Sequence, residues 1–295
     1  MIKNNNKISI VCASHKGKGR LPNLISSINN NSVKPFEIVL CVTDLNDTEL
    51  INDELINNLN IKVILSKKLD QSYQRQLAIK HTKCDLILQL DDDLILDKDT
   101  IKTFIDHFKD DDKKKIVSAV VLLPNNELQS YRWNNLFNKN PIFKFIILLL
   151  NGFKKVNSMS ILKSGRIAPL LFFNDNNKII YEAEWLNSCI LYRKEALKDA
   201  KYLFSDKSKS YFEDVFFSHS LYKKNYLLIV DSNIIVRHHY VKPTSIITYL
   251  NLIKSQYRIV KSFNKNVYLF YIDVFIFFNL YLISTFIMLF KFKKK

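Results

Sequence analysis

Over its first 123 residues the chain alternates short apolar runs with amphipathic segments, and this alternation restricts the possible folds more than any other feature. The apolar runs are KISIVCAS (7–14), FEIVLCVT (36–43), IKVILS (61–66), DLILQL (85–90) and KIVSAVVLL (115–123). Between them LPNLISSINN, TELINDELINNL and QSYQRQLAIKHT have the spacing of amphipathic helices. Strand and helix signals in turn imply βαβ units with right-handed crossovers, hence an α/β fold with a Rossmann-like, mostly parallel sheet flanked by helices. The runs are continuously apolar, as strands covered on both faces must be.

From about 124 to 180 the rhythm breaks into Pro, Gly and Asn around the apolar patch FKFIILLL (143–150), which reads as a variable loop region packed over the sheet edge. Regular signals return with WLNSCILYRKEAL (185–197), a strand running into a helix, and with the strand YLLIVD (226–231). Between these, YFEDVFFSHSLYKKN (211–225) places Phe212, Val215, Phe216 and Tyr222 at helical spacing, so Glu213 and Asp214 sit in a first turn. The final stretch, 267–290, has Asp273 as its only charge and is long enough for a helix that spans a hydrocarbon core. A spanning anchor, an interfacial helix, a hairpin partner in an oligomer and a helix buried against the globular part all satisfy that pattern, and the flanking lysines set no orientation.

Lys and Arg number 44 against 28 Asp and Glu, a formal charge of +16, which favours anionic partners. The lysines are spread along the chain rather than gathered into Arg-rich clusters interleaved with aromatics, so nucleic acid is not the expected partner. The N-terminal MIKNNNKISIVCAS has no apolar stretch before a cleavage site, and the expectation is a body on the cytoplasmic face of a membrane, held by the C-terminal segment. Cys12, Cys41, Cys84 and Cys189 show no paired spacing and read as reduced core cysteines.

The strand DLILQL runs into Asp91, Asp92 and Asp93, and ligands of open parallel sheets bind beyond such carboxyl ends. A strand continuing through the triplet puts Asp91 and Asp93 on one face and Asp92 on the other. Adjacent carboxylates raise each other's pKa unless a cation intervenes. A divalent ion, Mg²⁺ or Mn²⁺, completed by substrate phosphates answers that need, and a solvated acidic turn is the plain alternative. Glu213 and Asp214 complement a helix dipole, and they are also placed to supply a general base.

The ordered set IVCAS, LCVTD, SYQRQLAI, LQLDDD, WLNSCILYRKEAL, YFEDVFFSHSLYKKNY and IIVRHH resembles family 2 of the inverting glycosyltransferases, which have the GT-A fold, over about residues 7–265. The resemblance implies a nucleotide-sugar-binding half (1–123), an acceptor-binding and catalytic half (124–265) and a C-terminal membrane-associated hydrophobic segment with a basic tail (266–295). It implies that Asp44, Arg75, Asp91 and Asp92 contact the nucleotide sugar. Asp91 and Asp93 then form the metal-binding DxD pair, with His238 or His239 near the metal. Asp214 becomes the catalytic base with Glu213 beside it, and Trp185 and Asn187 lie on the acceptor side. Gln76 and the pair Asn187 and Ser188 depart from the family's usual Asn and Gly. The implied reaction moves a sugar from a nucleotide-sugar donor to a saccharide or lipid-linked saccharide in cell-envelope polysaccharide or lipopolysaccharide synthesis.

Three rivals differ in what they require. A sugar nucleotidyltransferase wants a Gly-rich phosphate loop, but ASHKGKGRLPN offers only Gly17 and Gly19. A processive synthase wants a Q-x-x-R-W motif, which QYRIV (256–260) does not match. An inactive membrane-associated scaffold would have no need of the acids at both key positions.

Overall fold

The computed structural model describes residues 7–109, 112–128, 136, 139–170, 180–187, 189–204, 211–238 and 245–292, with the backbone alone for 283–292. The chain divides into two compact units. The first comprises 1–131 and 172–243, the second 132–171 and 244–295.

The first unit is built on one mixed sheet. Strands β1 (Ile8–Ser14), β2 (Glu37–Val42), β3 (Ile61–Leu65) and β4 (Leu86–Asp91) pair in parallel in the order β3-β2-β1-β4. Helices α1 (Leu21–Asn29), α2 (Asp53–Asn58) and α3 (Gln71–Lys80) connect them as the sequence pattern predicts. Short β5 (Leu94–Leu96) and helix α4 (Thr100–Asp106) follow β4. Beyond β4 the expected parallel order gives way. Strand β8 (Ile190–Arg193) inserts antiparallel between β4 and β6 (Lys115–Leu122), and β9 (Leu227–His238) pairs parallel with β6. β5 and β7 (Ile180–Glu182) both run antiparallel to β9. A strand buried on both faces carries the same apolar signature in either direction, so β8's reversal leaves no trace in composition.

The core of this unit lines one side of the sheet with Ile10, Leu40, Leu88, Val117 and Leu191 against Leu21, Leu24 and Ile28 of α1 and Ile101 and Phe104 of α4. The four cysteines are buried with free thiols. α3 starts where the Asp70 carboxylate accepts from the Tyr73 N–H at 2.6 Å, an N-cap that satisfies one of the helix's orphan donors.

β9 extends seven residues past the predicted strand end and holds an irregularity, since Ala119 pairs with Asp231 but the next residue, Val120, pairs with Ile235. Asp231 closes it. Its buried carboxylate accepts from the Asn233 N–H at 2.8 Å and lies 2.6 Å from His107 Nε2, tying the bulge to the residue that ends α4. Burial alone would raise this carboxyl's pKa, but the bonds from His107 and Asn233 hold it below the usual carboxylate value.

In the second unit the patch expected to be loop forms α5 (Pro141–Leu150), capped by Asn140 accepting from the Phe143 N–H at 3.0 Å. Its buried face joins Phe143, Ile147 and Leu150 to Val156, Leu162 and Ala168. Helices α6 (Glu213–Tyr222) in the first unit and α7 (Ile246–Ser262) and α8 (Val267–Phe292) in the second complete the described helices of eight or more residues. α8 confirms that the C-terminal segment is helical, and among the described residues no helix is long and apolar enough to cross a membrane. The one acid of α8 points into the unit. Asp273 is fully buried, accepting from both Arg166 Nε and the Ser164 hydroxyl at 2.9 Å, while Arg166 also lies over the Phe277 ring.

Because the Asp231 pKa is depressed on folding, its contribution is present above the unfolded value of about 3.9 and is lost as pH falls through the native value. We expect Asp231→Asn to lower stability at neutral pH by about 1–2 kcal/mol in urea denaturation, with the gap closing below about pH 4. A gap that does not change with pH contradicts this reading.

Candidate active site

The parallel strands bring three site residues to one edge of the sheet. In register Ala13 lies beside Asp91 and Ser14 beside Val42, so Ser14, Asp91 and Asp44, two residues past β2, share the carboxyl ends of β1, β4 and β2. The predicted alternation through the triplet does not occur. β4 ends at Asp91, and Asp92 and Asp93 form a turn into β5.

Each aspartate has its own partner. Asp91 Oδ1 accepts from Arg75 Nη2 at 2.5 Å and from the Gln71 side-chain amide at 3.0 Å, two residues one turn apart on α3. Asp92 accepts from the Ser14 hydroxyl at 2.5 Å and pairs with Arg20 at 2.8 Å. Burial still pushes its carboxyl up to about 6, against that hydrogen bond and that cation. Gly17 passes close to this pair, and a Cβ there would collide with the Ser14 hydroxyl oxygen, so the close approach of the β1–α1 loop needs glycine. Asp93 lies 3.5 Å from His238 Nδ1, because β5 pairs with the end of β9 and sets Leu94 opposite His238. His239 lies outside the described residues.

Arg75 carries the array across to the second acidic pair. Its side chain is 2% exposed, and Nη1 donates to Glu213 Oε1 while Nη2 holds Asp91. Burial pulls the guanidinium's pKa down, yet Glu213, Asp91 and Asp214 more than reverse this, so it stays charged. Burial pushes the Glu213 carboxyl up against Arg75, with Asp214 and Asp91 adding to the rise. Glu213 and Asp214 do form the first turn of α6, as the sequence predicts. The helix is entered through Phe212 in the left-handed region (φ 61, ψ 25), a conformation that costs a non-glycine residue about 1–2 kcal/mol and fixes the direction of that turn.

The Trp185 segment is pinned to the same helix. The Ser218 hydroxyl accepts from the Leu186 N–H at 2.8 Å, and His219 Nδ1 lies 2.8 Å from the Glu184 carbonyl oxygen. Trp185 is buried, and Asn187 Oδ1 accepts from the Ser118 hydroxyl at 2.6 Å. Ser188 lies outside the described residues. Asp44 is exposed and caps a short 3₁₀ turn by accepting from the Asn46 N–H at 3.0 Å. The structure thus joins Arg75, Asp91 and Glu213 through direct contacts, with the Asp92 and Asp93–His238 contacts beside them on the same turn, whereas Asp44 shares their sheet edge but bonds within its own turn. Sequence reasoning missed Ser14, Arg20 and Gln71. Only Gln71 had a signal, its four-residue spacing from Arg75 on a helix face.

Among the described residues no group of three or more His, Cys, Asp or Glu is arranged to hold a metal ion. The neighbouring carboxylate and imidazole of Asp93 and His238 nevertheless supply one hard oxygen donor and one borderline nitrogen donor, both partly exposed. That set fits a divalent ion whose remaining ligands come from substrate phosphates and water, the usual arrangement for Mg²⁺ or Mn²⁺ at phosphate sites.

Removing one member of a buried ion pair leaves an uncompensated charge, at a cost of about 3–5 kcal/mol. Arg75→Met is expected to destabilise the protein by that order, and Glu213→Gln in the same chain to recover about 1–3 kcal/mol in a double-mutant cycle read by chemical denaturation. Strict additivity of the two substitutions overturns the bridge.

The sequence model described as Glycosyl transferase family 2 matches residues 9–171. No curated protein matches the chain. Among solved structures, GalNAc-T7 with UDP, GalNAc and Mn²⁺ superposes with a TM-score of 0.61 at 14% identity, over 88% of this chain and 48% of that one. TarS of S. aureus gives 0.52 at 18% identity, over 85% of this chain and 39% of that one. TarS 1–349 in complex with UDP-GlcNAc gives 0.53 at 16% identity, over 86% of this chain and 66% of that one. The chain therefore spans between two-fifths and two-thirds of the length of these structures, and the likeness is one of fold. With more than half its length matched by the family's sequence model, and its fold shared with these structures, the chain belongs to glycosyl transferase family 2.

Proposed function

We propose that the chain is an inverting glycosyltransferase, moving a sugar from a nucleotide-sugar donor to the hydroxyl of a saccharide or lipid-linked saccharide, with Asp214 as general base. One observation carries this reading. Arg75 joins the aspartate turn at the end of β4 to the first turn of α6 in a single buried ionic network, so the two acidic motifs belong to one site. The ligands of the related structures, UDP with GalNAc and Mn²⁺ in one and UDP-GlcNAc in another, favour a nucleoside diphosphate leaving group.

In this reading the donor's nucleotide lies along the carboxyl ends of β1, β2 and β4, beside Asp44, Asp91 and Asp92. Asp214 accepts the proton of the acceptor hydroxyl as its oxygen attacks the anomeric carbon. The bond from that carbon to the diphosphate oxygen breaks on the opposite face, the electron pair leaves with the nucleoside diphosphate, and the configuration inverts. Glu213, fixed by Arg75, orients the turn that carries Asp214, and the Trp185 segment, hydrogen-bonded to α6, presents the acceptor. A divalent ion held by Asp93 and His238 would neutralise charge on the departing diphosphate.

A positioned general base typically contributes 10²–10⁴-fold to the rate. Asp214→Asn is expected to lose transfer from a labelled nucleotide sugar by about that factor while keeping nucleoside diphosphate binding. Asp93→Ala should instead weaken that binding. Near-normal turnover by Asp214→Asn would falsify the base assignment.

A further inference from the structure

The two units share the chain's charge very unequally. The unit made of 132–171 and 244–295 holds fifteen Lys and Arg and a single acid, a net +14 of the chain's +16. That acid is Asp273, fully buried against Arg166, so no acidic side chain of this unit faces solvent. The other unit, which holds the candidate active site, is close to neutral.

The basic unit also leaves large apolar side chains exposed. On α8, Tyr268, Ile272, Phe275 and Leu282 recur every three to seven residues, with Tyr271 beside them, and Tyr268 and Phe275 are 83% and 72% exposed. At 1.5 Å per residue this is a stripe ~21 Å long. The opposite side of the same helix is occupied by the Asp273–Arg166 pair and by Phe270 and Phe277, which pack within the unit. On α7, Ile246, Ile247 and Leu250 are exposed, followed by exposed Lys254 and Lys261. On α5, Ile142 and Phe145 flank exposed Lys144, and exposed Phe153, Lys154 and Lys155 follow the helix.

Scattered exposed hydrophobic residues need no explanation, but an apolar stripe with tyrosines, on a unit rich in exposed lysines and free of exposed acids, is the pattern of a surface that meets a bilayer. The tyrosine ring suits the headgroup boundary because its body is apolar and its hydroxyl wet. Charge decides between occupants. A second copy of the chain would set +14 against +14. Nucleic acid would use the lysines but leave Ile246, Ile247, Leu250 and Leu282 in water. Anionic phospholipid satisfies both the lysines and the apolar stripe.

We propose that this unit docks the chain on an anionic phospholipid bilayer, the α8 stripe seated at the boundary of headgroups and acyl chains and the lysines facing phosphate. The helix lies in the interface and need not cross the bilayer. None of these residues belongs to the candidate active site, so the proposal stands or falls apart from the transfer chemistry.

Co-sedimentation of the full chain with vesicles tests it, using phosphatidylcholine alone or with roughly a third phosphatidylglycerol. Binding to the anionic vesicles should be at least about tenfold tighter than to the neutral ones and should weaken as salt rises. Replacing Tyr268, Tyr271 and Phe275 together with Ser should weaken it about tenfold, with the thermal melt and nucleoside diphosphate binding unchanged. If that triple variant fails to fold, Lys144→Glu, Lys154→Glu and Lys155→Glu together should remove the preference for anionic lipid. The proposal is overturned by equal binding to both vesicles, by no binding, by indifference of a folded variant, or by saturable binding of RNA or self-association in place of vesicle binding.

Discussion

The candidate site depends on the buried guanidinium of Arg75. Two carboxylates from distant parts of the chain, Asp91 at the end of β4 and Glu213 at the start of α6, meet on either side of it. Burying either carboxylate alone would cost several kcal/mol, and an always-charged planar fork is the side chain best suited to hold both. The bridge locks α3, the β4 edge and α6 together, and it fixes the turn on which Asp214 stands.

The remaining charge of the aspartate turn is dealt with residue by residue. Arg20 and Ser14 hold Asp92, Gln71 shares Asp91 with Arg75, and His238 stands beside Asp93. Protein groups therefore offset most of the repulsion within the triplet. Asp93 and His238, beside the β5 edge of the sheet, are where a divalent ion would add to the array. A site neutralised in this way is held in shape by its own protein contacts, which lowers the reorganisation that binding a ligand there would need.

The parallel half of the fold was legible because its strands are long, continuous apolar runs and its helices carry caps and periodicity, as in the Asp70 cap of α3. The acidic motifs were legible because charge at a strand end or a helix start is unusual enough to stand out. What stayed hidden was pairwise. Nothing in the order of residues says that Arg20 should reach Asp92 across 72 positions, or that β8 enters the sheet reversed. FKFIILLL hid its helix because an unbroken apolar run carries no period, and three-residue β5 is too short to register. The hydropathy of the C-terminal segment left several placements open because it says nothing of Asp273's partners, Arg166 and Ser164, which hold one side of α8 against its own unit.

The central claim is that the aspartate turn, braced by Arg75, is the diphosphate end of a sugar-nucleotide site. The most direct measurement is the shift in melting temperature of the full chain with a panel of nucleoside diphosphates, in Mn²⁺, Mg²⁺ or EDTA. The account predicts stabilisation by one nucleotide that requires the divalent ion and disappears with EDTA. A folded sample that shows no shift with any nucleotide, or the same shift in EDTA, would contradict it.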